Sequence, residues 1–185
     1  MGHDLHLPPL GPPTAVAVVL HPHPGMGGDR HHPLVVALAR RLADAGVAAL
    51  RLDLTDPDVA ASAAALEVAL TDLAAEQDVE TRLLLGYSWG AAVTAAAEVA
   101  GLAARVLVAP PVTMLDLDPR PEPTLVLVPA HDQYGPPDAV VPALDGWPDA
   151  AVEVVEGCDH FLAGAVDRIA DRAVTWLGSA LTPPP

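Results

Sequence analysis

The sequence predicts an α/β fold, a mostly parallel twisted sheet of about six to seven strands with helices on both faces. Three observations carry that expectation. Short apolar runs rich in valine and leucine alternate along the chain with segments whose apolar residues recur every three or four positions. The runs are continuous rather than alternating, as strands covered on both faces require. No internal repeat or interdomain linker interrupts them, so the 185 residues read as a single domain over 1–185 with room for a sizeable core.

Residues 1–13 read as a lead-in, with a short edge strand at Asp4 to Leu7 and a proline-rich stretch from Pro8 to Pro13. Val16 to Leu20 is a buried strand. A helix follows from about His32 to Ala45, with Leu34, Leu38 and Leu42 on one face. Asp29 or a neighbour caps it, and Gly46 ends it. Val47 to Leu52 is the next strand, and Ala60 to about Ala75 an alanine-rich helix with Leu66, Leu70 and Leu73 on one side. Arg82 to Leu85 reads as a strand and Ala91 to Glu98 as a helix. Three strands follow at Val106 to Ala109, Leu125 to Val128 and Val152 to Val155. A short helix starts near Pro137, and the last runs from about Ala163 to Leu177, turning Val166, Ile169, Ala170, Ala173 and Leu177 inward. Residues 182–185 are expected to form a frayed tail.

Composition excludes several classes. The formal net charge is −15, so the clustered positive charge that nucleic acid or an anionic membrane surface demands is missing. No apolar run approaches the roughly 18 residues that cross a bilayer. The first residues lack a basic region followed by an apolar core, so no signal peptide is expected. Cys158 is the single cysteine, which rules out an intramolecular disulfide and reads as a small buried filler. Together these favour the cytoplasm.

The segment that carries chemistry is Gly86-Tyr87-Ser88-Trp89-Gly90, set between a strand and a helix. Strand, G-x-S-x-G, helix is the context of a nucleophile elbow. The turn is sharp, and glycines two residues either side of the serine leave space that side chains would fill. The hydroxyl then stands above the sheet at a helix N-terminus, which favours developing negative charge. A serine hydroxyl needs a base to take its proton, and the base needs an acid to orient it. Asp132 directly follows one later strand and His160 the next, in the chain order serine, acid, histidine. The alternatives are that Asp132 is an ordinary turn residue, that Asp116 or Asp118 is the acid, or that His160 is structural. Asp159 is a poor orienter of His160, because adjacent side chains diverge in an extended loop.

With these residues in view, the chain resembles the α/β-hydrolase superfamily. It looks most like small, lidless members related to dienelactone hydrolase and to a group of small predicted hydrolases. The resemblance covers nearly the whole chain and rests on Gly86 to Gly90, His131-Asp132, Asp159-His160-Phe161 and Pro24-Gly25-Met26-Gly27-Gly28-Asp29. Dienelactone hydrolase has a cysteine nucleophile; Ser88 stands here, so that substrate is not implied. Asp53-Leu54-Thr55-Asp56-Pro57 replaces the glycine-rich segment of many relatives. The resemblance implies an α/β-hydrolase fold without a lid and an oxyanion hole of two backbone N–H groups. One is Trp89, the residue after the serine. Alignment with the family's glycine-rich loop puts the second at Met26, with Gly25 and His23 as alternatives; Pro22 and Pro24 have no N–H.

His21, His23, His31 and His32 raise the possibility of a metal site. A hydrolase loop with surface histidines accounts for them without one, and neither metal nor cofactor is expected. The implied activity is a serine hydrolase acting on a small-molecule acyl ester through Ser88, Asp132 and His160 and an acyl-enzyme. The alternatives are a non-catalytic binding protein, or a thioesterase, peptidase or acyltransferase on the same three residues. The segment Pro110 to Pro123 is too short and polar for a packed helical lid. The pocket should therefore be open, walled by Met26, Trp89, Met114, Tyr134 and Phe161. Nothing in the sequence sets the oligomeric state.

Overall fold

A computed structural model describes residues 2–181. The tail expected over 182–185 lies outside the described residues. The strands are β1 (His3–His6), β2 (Ala15–Leu20), β3 (Val47–Leu52), β4 (Arg82–Tyr87), β5 (Leu102–Val108), β6 (Thr124–His131) and β7 (Ala150–Asp159). The helices are α1 (Pro33–Asp44), α2 (Val59–Gln77), α3 (Trp89–Ala96), α4 (Pro137–Ala143) and α5 (Val166–Ala180). The seven strands form one sheet in the order β1-β3-β2-β4-β5-β6-β7. β1 runs antiparallel to β3, and every other pairing is parallel.

Strand periodicity sorts the core into two layers. Ala15, Ala17 and Val19 of β2 join Leu83 and Leu85 of β4 beneath α1 and α5. Val16, Val18 and Leu20 face the other way with Leu84, against Leu66 and Leu70 of α2 and Val93 of α3. Leu107, Val126 and Val128 continue that second layer beneath Val140 of α4. Burial on both faces is why the central strands read as unbroken apolar runs.

Several element ends differ from expectation. The edge strand is His3–His6 rather than Asp4 to Leu7. β5 starts at Leu102, ahead of the buried Arg105. β6 and β7 extend well past their apolar centres. α1 is capped by the His32 side chain, which accepts Leu34 N–H at 3.3 Å; Asp29 instead accepts His31 N–H at 2.8 Å. α3 begins at Trp89, immediately after the serine, and ends where Ala97 turns extended. α5 begins only at Val166, because Asp159 to Ala165 form turns closed by Leu162 N–H to Asp159 O and Ala165 N–H to Leu162 O. Among the described residues, no helix is long and apolar enough to cross a membrane.

Candidate active site

Ser88 sits between the last residue of β4 and the first of α3. Its backbone is left-handed, with φ 55° and ψ −122°. A non-glycine residue held there costs of order 1–3 kcal/mol, which the surroundings must offset. They do so by packing without slack. A Cβ at Gly86 would collide with the carbonyl of Gly90, and one at Gly90 with the carbonyl of His21. Ser88 N–H donates to Val108 O at 2.9 Å, pinning the turn to β5.

Asp132 and His160 come together because their strands are neighbours. The parallel β6–β7 ladder pairs His131 with Asp159, so the residues that follow leave the sheet edge side by side. The His160 Nδ1 lies 2.8 Å from Asp132 Oδ2 and 2.9 Å from Oδ1. Its Nε2 lies 2.9 Å from Ser88 Oγ. All three side chains are buried. Asp132 is itself oriented: Oδ1 also accepts the N–H groups of Tyr134 at 2.8 Å and Gly135 at 3.0 Å. Asp116 and Asp118 are exposed and bond to none of these groups. Asp159 turns away to accept Phe161 N–H at 3.0 Å. Cys158 is buried, with its sulfur 3.4 Å from Val155 O.

Tyr87, to which sequence reasoning assigns no role, holds the backbone of His160. Its hydroxyl donates to the His160 carbonyl at 2.7 Å. Burial pushes that phenol well above its ordinary range, with the Asp132 and Asp159 charges adding to the effect, so it stays a donor. A strand-end tyrosine carries no local signal of this contact, which spans 73 residues of sequence.

The first N–H of α3, that of Trp89, has no acceptor within its helix and lies beside Ser88. The partner expected at Met26 is not available. Met26 lies in a 3₁₀ turn, Pro24–Met26, and its N–H donates to His23 O at 3.0 Å. Gly25 N–H is likewise engaged, with His23 Nδ1 at 3.0 Å. The N–H of that loop that meets no acceptor among the described residues is His23's.

Ser88 and His160 open into a cavity of about 360 Å³. Met26, Trp89, Met114, Tyr134 and Phe161 all line it. Met26, Met114 and Phe161 are largely exposed and form an apolar rim. The Trp89 indole stacks on the His21 ring at 5.9 Å and donates to Pro57 O at 3.1 Å, tying the elbow to the loop after β3. His21 has both ring nitrogens occupied: Nε2 accepts Leu54 N–H at 3.0 Å and Nδ1 faces Pro22 O at 2.6 Å. His32 caps α1, and burial pulls its pKa below the ordinary value. Among the described residues, no group of three or more histidine, cysteine or acidic side chains is arranged to hold a metal ion.

No family model and no curated protein matches the chain. Solved structures do. An α/β serine hydrolase homologue from Coxiella burnetii superposes with a TM-score of 0.83 at 22% identity, over 95% of this chain and 90% of that one. A lidless α/β serine hydrolase from Xanthomonas campestris gives 0.83 at 22% identity, over 99% and 90%. Est1E from Butyrivibrio proteoclasticus, solved with ferulic acid bound, gives 0.80 at 16% identity, over 97% and 95%. The chain has the α/β-hydrolase fold, and the segment between β5 and β6 holds no lid helices.

Proposed function

We propose that this chain is a serine hydrolase of small acyl esters. Ser88 is the nucleophile, His160 the base and then the acid, and Asp132 the group that holds the imidazole. The supporting observation is the unbroken series of hydrogen bonds from the Asp132 carboxylate through His160 to Ser88 Oγ, at 2.8 and 2.9 Å, opening into an apolar cavity. Ser88 Oγ attacks the acyl carbon while its proton passes to His160 Nε2. The oxygen that gains charge sits between the N–H groups of Trp89 and His23. Each such donor lowers the barrier by roughly 3–4 kcal/mol. His160 then protonates the leaving alcohol, and water repeats the sequence on the acyl-enzyme.

The test is active-site labelling. A fluorophosphonate should modify the wild-type protein at Ser88 and leave Ser88→Ala untouched, with ester turnover lost in the variant and its circular dichroism unchanged. Undiminished turnover in Ser88→Ala would refute the assignment. Failure of the wild type to label would favour a binding protein on the same fold.

The open rim also bears on substrate length. Without a lid, a long acyl chain stays in water beyond Met26 and Met114, and each unburied CH₂ forgoes roughly 0.8 kcal/mol of binding. Therefore kcat/KM should level off after short acyl chains, and detergent micelles should not activate the enzyme. A steady rise through long chains, or a jump at the micelle threshold, would contradict this.

A further inference from the structure

The cavity above Ser88 has two flanks. On one, Tyr134 and Phe161 stand edge-on to His160, with centroids 4.7 and 5.9 Å away. On the other, His23 stands edge-on to Trp89 at 5.7 Å, whose indole is fixed to Pro57. A leaving alcohol must receive its proton from His160 Nε2, so it occupies the first flank. The acyl group then lies along the second, against Pro57, Val59 and Trp89. Those walls are apolar. The polar side chain on that flank is the imidazole of His23.

Its tautomer is set by the turn it caps. Gly25 N–H donates to His23 Nδ1 at 3.0 Å, so Nδ1 is the acceptor and the neutral ring carries its proton on Nε2. That N–H meets no acceptor among the described residues. The ring is half-exposed at the cavity wall, so an acyl oxygen that accepts from this N–H replaces water, whereas a hydrocarbon acyl group covers the donor and leaves it unpaired.

We propose that the His23 imidazole is a specificity-determining donor, selecting acyl groups that carry an uncharged oxygen acceptor, an ether or ketone, over hydrocarbon acyl groups of the same shape. This rests on the serine hydrolase reading above and assigns the side chain a task separate from its backbone N–H. Charged acceptors are disfavoured, since among the described residues no arginine lines the cavity and the formal net charge is −15.

Two substitutions separate the tasks of the ring. Asn carries a side-chain oxygen near the place of Nδ1, so His23→Asn keeps the cap on Gly25 and loses the Nε2 donor. Gln carries an amide nitrogen near the place of Nε2, so His23→Gln keeps the donor and loses the cap. The substrates are p-nitrophenyl esters in shape-matched pairs: methoxyacetyl with butyryl, and levulinyl with isocaproyl. The readout is the ratio of kcat/KM within each pair, so intrinsic ester reactivity and any general loss of turnover cancel between enzymes. His23→Asn should lower the oxygen-bearing preference about three- to tenfold in at least one pair, the worth of one neutral hydrogen bond. His23→Gln should retain most of it. A preference in His23→Asn equal to the wild type in both pairs overturns the proposal. So does equal loss in the two variants, which would assign the effect to the turn. A wild type that neither labels with fluorophosphonate nor hydrolyses any of the four esters fails at the hydrolase reading itself and takes this proposal with it.

Discussion

Asp132→Asn should lower kcat by about 10⁴-fold while leaving the fold intact, as loss of the correct imidazole tautomer does. Oδ1 of residue 132 accepts two backbone N–H groups, from Tyr134 and Gly135. An asparagine keeps both bonds only by directing its oxygen at them. Its NH₂ then faces His160 Nδ1. That nitrogen must become an acceptor, so the ring proton moves to Nε2, and Nε2 can no longer take the proton of Ser88. Steady-state kinetics on a short-chain ester, beside a thermal melt, measures both halves of the expectation. Asp116→Asn, at an exposed position, is the control. If it does the greater damage, the acid has been misassigned.

The elbow was legible because its backbone dictates residue types at fixed offsets. Gly86 and Gly90 are forced by carbonyls that leave no room for a Cβ. Asp132 and His160 were legible by a coarser rule, since parallel strands deliver successive loops to one edge of the sheet. The second donor proposed for the oxyanion hole is not legible. Where the N–H groups of His23, Gly25 and Met26 point depends on a single 3₁₀ turn, and family alignment led to Met26, whose N–H closes that turn. Strand lengths were hidden for a different reason. β7 lies at the sheet edge and is half exposed, so Glu153, Glu156 and Asp159 interrupt its apolar pattern. β5 is expected from Val106 and in the structure begins at Leu102, so it takes in Arg105, a charged side chain that is seldom fully buried unless paired. Its partners are what make it tolerable, and they come from α3 and from Glu122, which no periodicity reveals.

Arg105→Met should strongly destabilise the fold from outside the active site. The Arg105 side chain is fully buried. It donates to the carbonyls of Thr94 and Ala97, the second at 2.9 Å, and to Glu122 Oε2 at 3.2 Å. Burial pulls its pKa down, and the Glu122 charge opposes that pull, so the guanidinium stays charged. Arg120 completes the arrangement, reaching the Ala95 and Ala96 carbonyls at 2.7 Å each. Two arginines thus donate to the last carbonyls of α3, the eight-residue helix that begins directly after Ser88. Methionine fills much of the same volume and satisfies none of these acceptors. Removing one partner of a buried ion pair costs about 3–5 kcal/mol. At roughly 2–4 °C per kcal/mol for a chain of this size, Tm should fall by about 10 °C. The double variant Arg105→Met, Glu122→Gln should recover part of that loss, because the stranded carboxylate is gone while the two carbonyls remain unpaired. Differential scanning calorimetry of the three proteins decides it: a Tm for Arg105→Met within a degree or so of wild type would mean that Arg120 alone holds the end of α3.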